Sequence, residues 1–405
     1  RDTIGWSHAL LPAPEQVLFR RIGVFVGDGT LAAIEAICGG NGASPDVVAG
    51  VATLLDHSLL RRRIHPDGEP RFGMLETVRV YAAEQLETSG EAPALRDAHA
   101  QFYLALADEG PDEDDEIWQA RITPEYENLR AALEHSNRAG GDLTVALRLI
   151  DTALTAFWYR HGTWQEGIDA LERALSDPRN DTSSALYASA CADLGQLQAL
   201  TGSYAAARAN FERAMDSARA ASDHNFRTWL TERLGWVARE HGDSATAWAR
   251  MTEALAFARQ QENSWLLAGI LNSMAEIAIL DEDADRAEEL LAESQAFAEH
   301  HQLEVDTQFW TVNHLGHAAQ LRGNFARAVQ LHQDSLAYPV GEHYVGLFWA
   351  QLGMGESLLG LSRPDEAAGW LRKGLAHSWR QGDRACTSYG LAGLGTAAAL
   401  DEEPE

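Results

Sequence analysis

The chain contains a single lysine, Lys373, and glycine follows it at Gly374. A phosphate-binding loop of the form GxxxxGK[ST] needs a lysine followed by Ser or Thr, because the ammonium reaches the phosphates and the hydroxyl holds Mg²⁺. No such loop is present in this sequence, and no nucleotide cofactor is expected in this piece. The lysine shortage belongs to a wider deficit of positive charge: 32 Lys and Arg stand against 60 Asp and Glu, a net −28. Duplex binding draws on basic side chains that neutralise phosphates and release counterions. So acidic a chain repels a polyanion over most of its surface, and anionic membranes are disfavoured for the same reason. The three cysteines, Cys38, Cys191 and Cys386, are far apart and form no CxxC, which excludes a disulfide framework and fits a reducing, cytoplasmic setting. No run approaches the roughly 18 uninterrupted apolar residues of a membrane span, and no charged-then-apolar leader opens the chain. It begins at Arg1 rather than Met and reads as a piece of a longer protein.

Catalytic signatures are missing as well. There is no GxSxG, no HExxH and no GxGxxG after a strand. His314 and His317 stand three apart, with His300 and His301 nearby, but a zinc site needs three or four ligands in a closed set. No metal site, no catalytic residue and no enzyme activity are expected of this piece.

What the sequence does have is a repeat. An apolar residue followed by a small one recurs as Leu154-Thr155, Leu194-Gly195, Leu234-Gly235, Met274-Ala275, Leu315-Gly316, Met354-Gly355 and Leu394-Gly395, with spacings of 40, 40, 40, 41, 39 and 40 between the second members. Seven residues after each of the first six comes a turn position: Gly162, Gly202, Gly242, Glu282, Gly323 and Ser362. Five further on stands a small residue (Gly167, Ala207, Ala247, Ala287, Ala328, Ala367), and seven beyond that another (Ala174, Ala214, Ala254, Ser294, Ser335, Gly374). The pattern specifies a helix–turn–helix unit whose small positions let neighbouring helices approach, and which buries its apolar stripe only by stacking. In residues 194–214 the Leu-Gly pair, Gly202, Tyr204, Ala207, Phe211 and Ala214 resemble the tetratricopeptide repeat, at a period near 40 rather than the usual ~34.

Residues 12–90 fall outside the repeat. "PEQVLFRRIGVF" has helical spacing at Val17, Leu18, Ile22 and Phe25. A second helix begins at a capping Thr30 and ends before Gly39-Gly40, and a third runs from about Pro45 to His57. "SLLRRRIHPDGEPRFGML" reads as two strands around a Pro-Asp-Gly turn. Three helices and a hairpin outline a winged helix. Its third helix, "PDVVAGVATLLDH", carries no Arg or Lys to reach base edges. Arg61, Arg62 and Arg63 form the only basic run, suited to a solvated strand edge or to a phosphate contact. Direct nucleic-acid binding by this piece is not expected. "EGPDEDDEIW" marks an acidic linker, followed by helices over 117–150.

Together with "LLDHSLLRRR", "RFGMLETVRVYAAEQL" and "EYENLRAAL", this segment resembles the region just after the ATPase core of STAND-class bacterial signalling ATPases, the AfsR-like and MalT-like (LuxR-type) transcriptional regulators. The resemblance implies that the winged helix packs on the protein's own upstream nucleotide-binding domain, where ATP or ADP would bind. The family's Met-His-Asp sensor motif falls on Met74, Leu75 and Glu76, with leucine in place of the phosphate-sensing histidine.

The expected architecture is all-α: a winged-helix domain over 1–90 with one β-hairpin, a connector over 91–150, and a tetratricopeptide-like superhelix over 151–405. It reads as the regulatory arm of a STAND-type transcriptional regulator, or alternatively as a free-standing protein–protein adaptor. Counting from each Leu-Gly pair, the family's groove positions fall on Trp229, Trp310, Trp349 and Tyr389, on Trp236, Glu276, His317 and Glu356, and on Glu232, Asn272 and Asn313. This ladder of aromatics, acids and amides lacks the lysines that clamp acidic tails. It suits an apolar or cationic effector or a partner segment, held partly by cation–π contact. The competing expectation is that the tryptophans turn inward and pack between units.

Overall fold

A computed structural model describes residues 2–401 except 41–45, 66–67, 111–114, 222, 262, 302, 304, 341–343, 345 and 382. Pro45, the Pro66-Asp67 turn and the centre of the acidic run lie outside the described residues. The chain forms two compact units: the residues up to Phe157 with Ser176–Asn180, and Trp158–Leu175 with the residues from Asp181 onward.

The first unit contains α1 (Asp2–Ala9), α2 (Ala13–Ile22), β1 (Gly29–Thr30), α3 (Leu31–Cys38), α4 (Val47–Asp56), β2 (Arg61–Ile64), β3 (Pro70–Gly73), α5 (Glu76–Ser89), α6 (Ala92–Asp108), α7 (Asp115–Ile122), α8 (Tyr126–Ser136) and α9 (Leu143–Leu149). The Thr30 hydroxyl accepts the Ala33 N–H (3.1 Å) at the start of α3, and Asp46 does the same for Ala49 (3.0 Å) at α4. These side chains satisfy amides that a helix start leaves without partners. Leu18, Phe19, Ile34, Leu54, Ala82 and Leu86 are buried in the core. The expected hairpin is present, with β2 antiparallel to β3, but β1 pairs with the other edge of β3 to give a sheet ordered β1-β3-β2. A strand of two residues is too short to show alternation.

The connector helices are packed into this unit, with α6 on α3, α8 and α9. Buried Asn128 on α8 accepts the N–H groups of Val26 (3.1 Å) and Gly27 (3.3 Å) and donates to the Asp28 carbonyl (3.3 Å). Buried Arg71 on β3 pairs with buried Glu125, whose other oxygen accepts the Tyr103 hydroxyl (3.1 Å).

The chain passes through α10 (Thr155–His161) into the second unit. There α11 (Trp164–Leu175), α12 (Ala185–Leu200), α13 (Tyr204–Ala221), α14 (His224–Glu240), α15 (Ser244–Gln260), α16 (Ser264–Leu280), α17 (Ala284–His301), α18 (Val305–Leu321), α19 (Phe325–Leu336), α20 (Gly346–Gly360), α21 (Pro364–Gln381) and α22 (Arg384–Asp401) pack in succession. The helices carrying the Leu-Gly pairs also touch one another across units, α14 with α16, α16 with α18, and onward to α22. They form one continuous row.

The repeat register has a direct backbone counterpart. All six turn positions adopt the left-handed conformation: Gly162, Gly202, Gly242 and Gly323 at φ of 68°, 80°, 77° and 70°, and Glu282 and Ser362 at 59° and 58°. Helices commonly end on such a residue. After three of the six, Asp243, Asp283 and Asn324 follow and cap the next helix through their side-chain oxygens. The small residues matter equally. Sixteen positions after Gly195, Gly235, Gly316 and Gly355 stand Phe211, Met251, His332 and Leu371, and a Cβ on these glycines would come within 3.0, 3.1, 2.5 and 2.6 Å of those side chains. The second helix of each unit lies against the glycine of the first. Ala207, Ala214, Ala247 and Ala254 are wholly buried. Replacing Ala214 or Ala254 with leucine is therefore expected to cost about 1–3 kcal/mol by overpacking. Urea unfolding followed by circular dichroism checks it, and unchanged stability at both sites would contradict the close stacking.

Candidate functional site

A recess of about 410 Å³ opens on the row of first helices in the second unit. Seven of the eleven groove positions line it: Trp229, Glu232 and Trp236 from α14, Asn272 and Glu276 from α16, Trp310 from α18 and Trp349 from α20. Helical geometry brings them together, since positions three, four and seven apart share a face. The tryptophans are half-buried. Trp229 and Trp236 rest one side on the core formed by Met251, Leu267 and their neighbours and line the recess with the other.

Four positions lie outside the recess. Asn313 is buried, and its oxygen meets Nδ1 of buried His332 at 2.9 Å. His317 pairs with Gln320 (2.9 Å) and sets its ring edge-on to His332, centroids 4.8 Å apart. Their carrier, α18, turns these side chains toward α19, where His332 occupies the place of Phe211 and Met251 in earlier units. Tyr389 is exposed and touches the Trp349 ring (5.7 Å). Glu356 keeps an accessible surface, yet the surrounding protein strips enough hydration to push its carboxyl pKa up.

No lysine lines the recess, but two arginines do. Arg233 sits between Trp229 and Trp236 on the same helical stripe, its guanidinium 5.6 and 5.5 Å from the two ring centres. The cation–π positions are thus filled from within the chain. Arg233 also pairs with buried Glu232, which accepts the Ser273 hydroxyl at 2.8 Å. Arg239 pairs with Glu240 and Glu276. Burial opposes ionisation of Glu276, but Arg239 and then His314 outweigh it and hold the carboxyl below its ordinary range. His314, 4.0 Å from Glu276, is lowered to about 4 because burial outweighs that carboxylate. Asn272 is tied into the fold: its oxygen accepts the Thr311 hydroxyl (3.0 Å), and its amide donates to the Thr307 carbonyl (3.4 Å).

Sequence counting passed over Trp265, Tyr344 and Asp383, which also line the recess. Arg233 and Arg239 were within reach, since they fall four and three residues after Trp229 and Trp236. Among the described residues no group of three His, Cys, Asp or Glu has metal-binding geometry. In the first unit Met74 is buried, Leu75 is exposed at the start of α5, and Glu76 is engaged by Arg79 (2.7 and 2.8 Å). That hydrogen bond keeps the Glu76 carboxyl below its usual value.

A winged helix joined to a tetratricopeptide-like arm is the class this architecture defines. Residues 11–87 match the winged helix-turn-helix domain family. A "Putative HTH-type transcriptional regulator" of Mycobacterium tuberculosis is 33% identical over 281 residues, covering 67% of this chain and 31% of that protein. The chain thus spans about a third of the length of the curated relatives it matches. A STAND protein with a tetratricopeptide repeat sensor from Pyrococcus horikoshii aligns at a TM-score of 0.58 and 12% identity, over 96% of this chain and 54% of that one. NprR, solved in complex with its cognate peptide NprX, aligns at 0.50 and 13%, over 76% and 85%. No helix among the described residues is long and apolar enough to cross a membrane.

Proposed function

We propose that this chain is the sensor arm of a STAND-type transcriptional regulator, whose groove takes an effector or partner segment with apolar and cationic character. Binding there would bias the protein's own nucleotide-binding domain, where ATP or ADP acts, and through it the output domain. The winged helix serves as an intramolecular contact rather than a DNA reader: α4 carries no Arg or Lys, and Arg63 is drawn to Asp28 (3.4 Å). The observation that carries the reading is the recess, with five tryptophans and four acids, Glu232, Glu240, Glu276 and Asp383, against two arginines that are already paired. Half-exposed tryptophans bury large area at low entropy cost, and the excess of acid favours a cation. The NprR complex supports a peptide as occupant, on the likeness of fold alone.

Trp236→Ala and Trp310→Ala test this, with a short amidated peptide alternating leucine and arginine as the probe and calorimetry as the readout. Each substitution is expected to weaken binding by about 2 kcal/mol, as at a binding hot spot, while the melting curve stays close to the parent. A purely structural role predicts instead about 3–5 kcal/mol of lost stability. If both variants unfold early, or if the parent ignores the peptide, the groove reading fails.

A further inference from the structure

A second recess of about 300 Å³ lies on the other side of α14, between that helix and the second helices α13 and α15. Thr228, Thr231 and Leu234 line it, whereas Trp229, Glu232 and Trp236 face the groove. At roughly 100° per residue the two sets centre about 130° apart around the helix. Its floor is apolar, with Met215 and Leu234 buried and Phe257 partly exposed.

The charges around it are unevenly matched. Arg219 is neutralised by Asp216 (2.9 Å), and Arg250 by Glu253 (3.3 Å). Arg227, half-buried between them, has no ion pair and no side-chain hydrogen bond among the described residues, and its Nε is shielded from solvent without a partner. Gln261 lies on the same wall. Its amide nitrogen donates to the Thr228 hydroxyl (3.3 Å), which leaves Oε1 buried and unpartnered. Thr228 and Thr231 spend their own hydroxyl protons on backbone carbonyls one turn back (2.9 and 2.8 Å). Glu212 on the same wall pairs with Arg208 (3.8 Å), and His224 stands beside it. Among the described residues Arg227 is therefore the recess's one arginine without an ion pair, next to a vacant neutral acceptor and an apolar surface.

A buried donor or acceptor without a partner is costly, and a guanidinium is best matched by a carboxylate, whose two oxygens fit its fork. The vacant amide oxygen calls for an N–H. A carboxylate with an N–H on the adjacent carbon and an apolar side chain satisfies all three features at once. We propose that this recess binds an α-amino or α-amido carboxylate: the carboxylate on the outer nitrogens of Arg227, the nitrogen's proton on Gln261 Oε1 once that side chain turns outward, and the side chain on Met215, Leu234 and Phe257. Both a free apolar amino acid and the C-terminus of a peptide carry this chemistry.

Three probes separate the sources. N-acetyl-leucine keeps the carboxylate and the amide N–H, leucine replaces the amide with an ammonium, and N-acetyl-leucine amide lacks the carboxylate. Titrations of the whole chain, followed by saturation-transfer NMR, are expected to show binding of N-acetyl-leucine and none of its amide. Leucine binding more tightly than its N-acetyl form assigns the site to free amino acids, and the reverse order assigns it to peptide ends. Arg227→Gln is expected to weaken the carboxylate probes at least about tenfold, as loss of a charge-assisted hydrogen bond would, and Gln261→Leu to weaken them less. Both changes lie at the recess wall, and a melting curve matching the parent's confirms that the fold is intact. Equal binding of acid and amide, undiminished binding by a folded Arg227→Gln, or no binding of any probe up to ~10 mM, weaker than the millimolar affinity of a minimal ligand, overturns the proposal. None of these outcomes depends on the groove.

Discussion

Arg71→Met is expected to destabilise the first unit by about 3–5 kcal/mol, because it strands Glu125 as an uncompensated buried charge. Glu125→Leu is expected to destabilise it by less, because Arg71 keeps Glu69 at 4.0 Å. The Arg71 and Glu125 side chains are nearly sealed from solvent. Glu125 divides its oxygens between Arg71 and the Tyr103 hydroxyl, and burial, reinforced by that carboxylate, drives the Tyr103 pKa well up. The double variant separates the loss of a pair from the stranding of a charge. Replacing both partners by apolar residues of similar volume is often neutral or better, so it is expected to recover most of the lost stability, short of the one hydrogen bond Tyr103 forfeits, about 1 kcal/mol. Urea unfolding of the four proteins closes the cycle. An Arg71→Met variant within about 1 kcal/mol of the parent would show the pair to be hydrated in solution, since exposed pairs contribute no more than that.

That ion pair also shows why part of the fold escaped the sequence. Arg71 and Glu125 are 54 residues apart, and Asn128 reaches Val26 across 102. Single-residue contacts over such distances leave no periodicity, so the packing of the connector onto the winged helix was not legible, and neither was β1. The array was legible down to its turn positions, because a translationally repeated unit states its requirements six times. Glu282 and Ser362 replace glycine and still take its left-handed backbone, so register overrides residue preference there. Seven of the eleven counted positions fall in one recess for the same reason, since the counting frame is the repeat itself. Arg233 and Arg239, which answer acids from their own helix, fall outside the counted positions. The departure at α18 has a local origin. Units elsewhere set Phe211, Met251 or Leu371 against the first-helix small residue, but here the buried occupant is His332, enclosed by Gly316 and Gly353. A polar ring there draws Asn313 and His317 inward to meet it.

This buried histidine cluster leads to the second large expected effect, a loss of stability in the array on mild acidification. His314 titrates in the folded chain at about 4 against 6.5 in the unfolded, chiefly because burial excludes its charged form. His332 is lowered too, by burial and then by His317 and His314, and its Nε2 has no acceptor. Around His314, Glu276 favours the charged ring, while Arg239 and His317 oppose it. The unfolded chain therefore binds more protons than the folded one between about pH 6.5 and 4. Stability rises with pH across that window, is fully present above 6.5 and is lost as the pH falls. For His314, linkage converts this to about 2 kcal/mol between pH 7 and pH 5. His332 adds a loss of the same sign. Ten of the twelve tryptophans lie in the second unit, so tryptophan fluorescence in urea reports on this unit. The parent is expected to lose about 2 kcal/mol over that interval, the raised carboxyl of Glu356 offsetting part of what His332 and His317 add. His314→Leu, which removes one titrating group and leaves Glu276 paired with Arg239, is expected to lose about 2 kcal/mol less over the same interval than the parent. A parent whose stability is unchanged between the two pH values would mean that the cluster is hydrated, and a variant as acid-sensitive as the parent would move the effect away from His314.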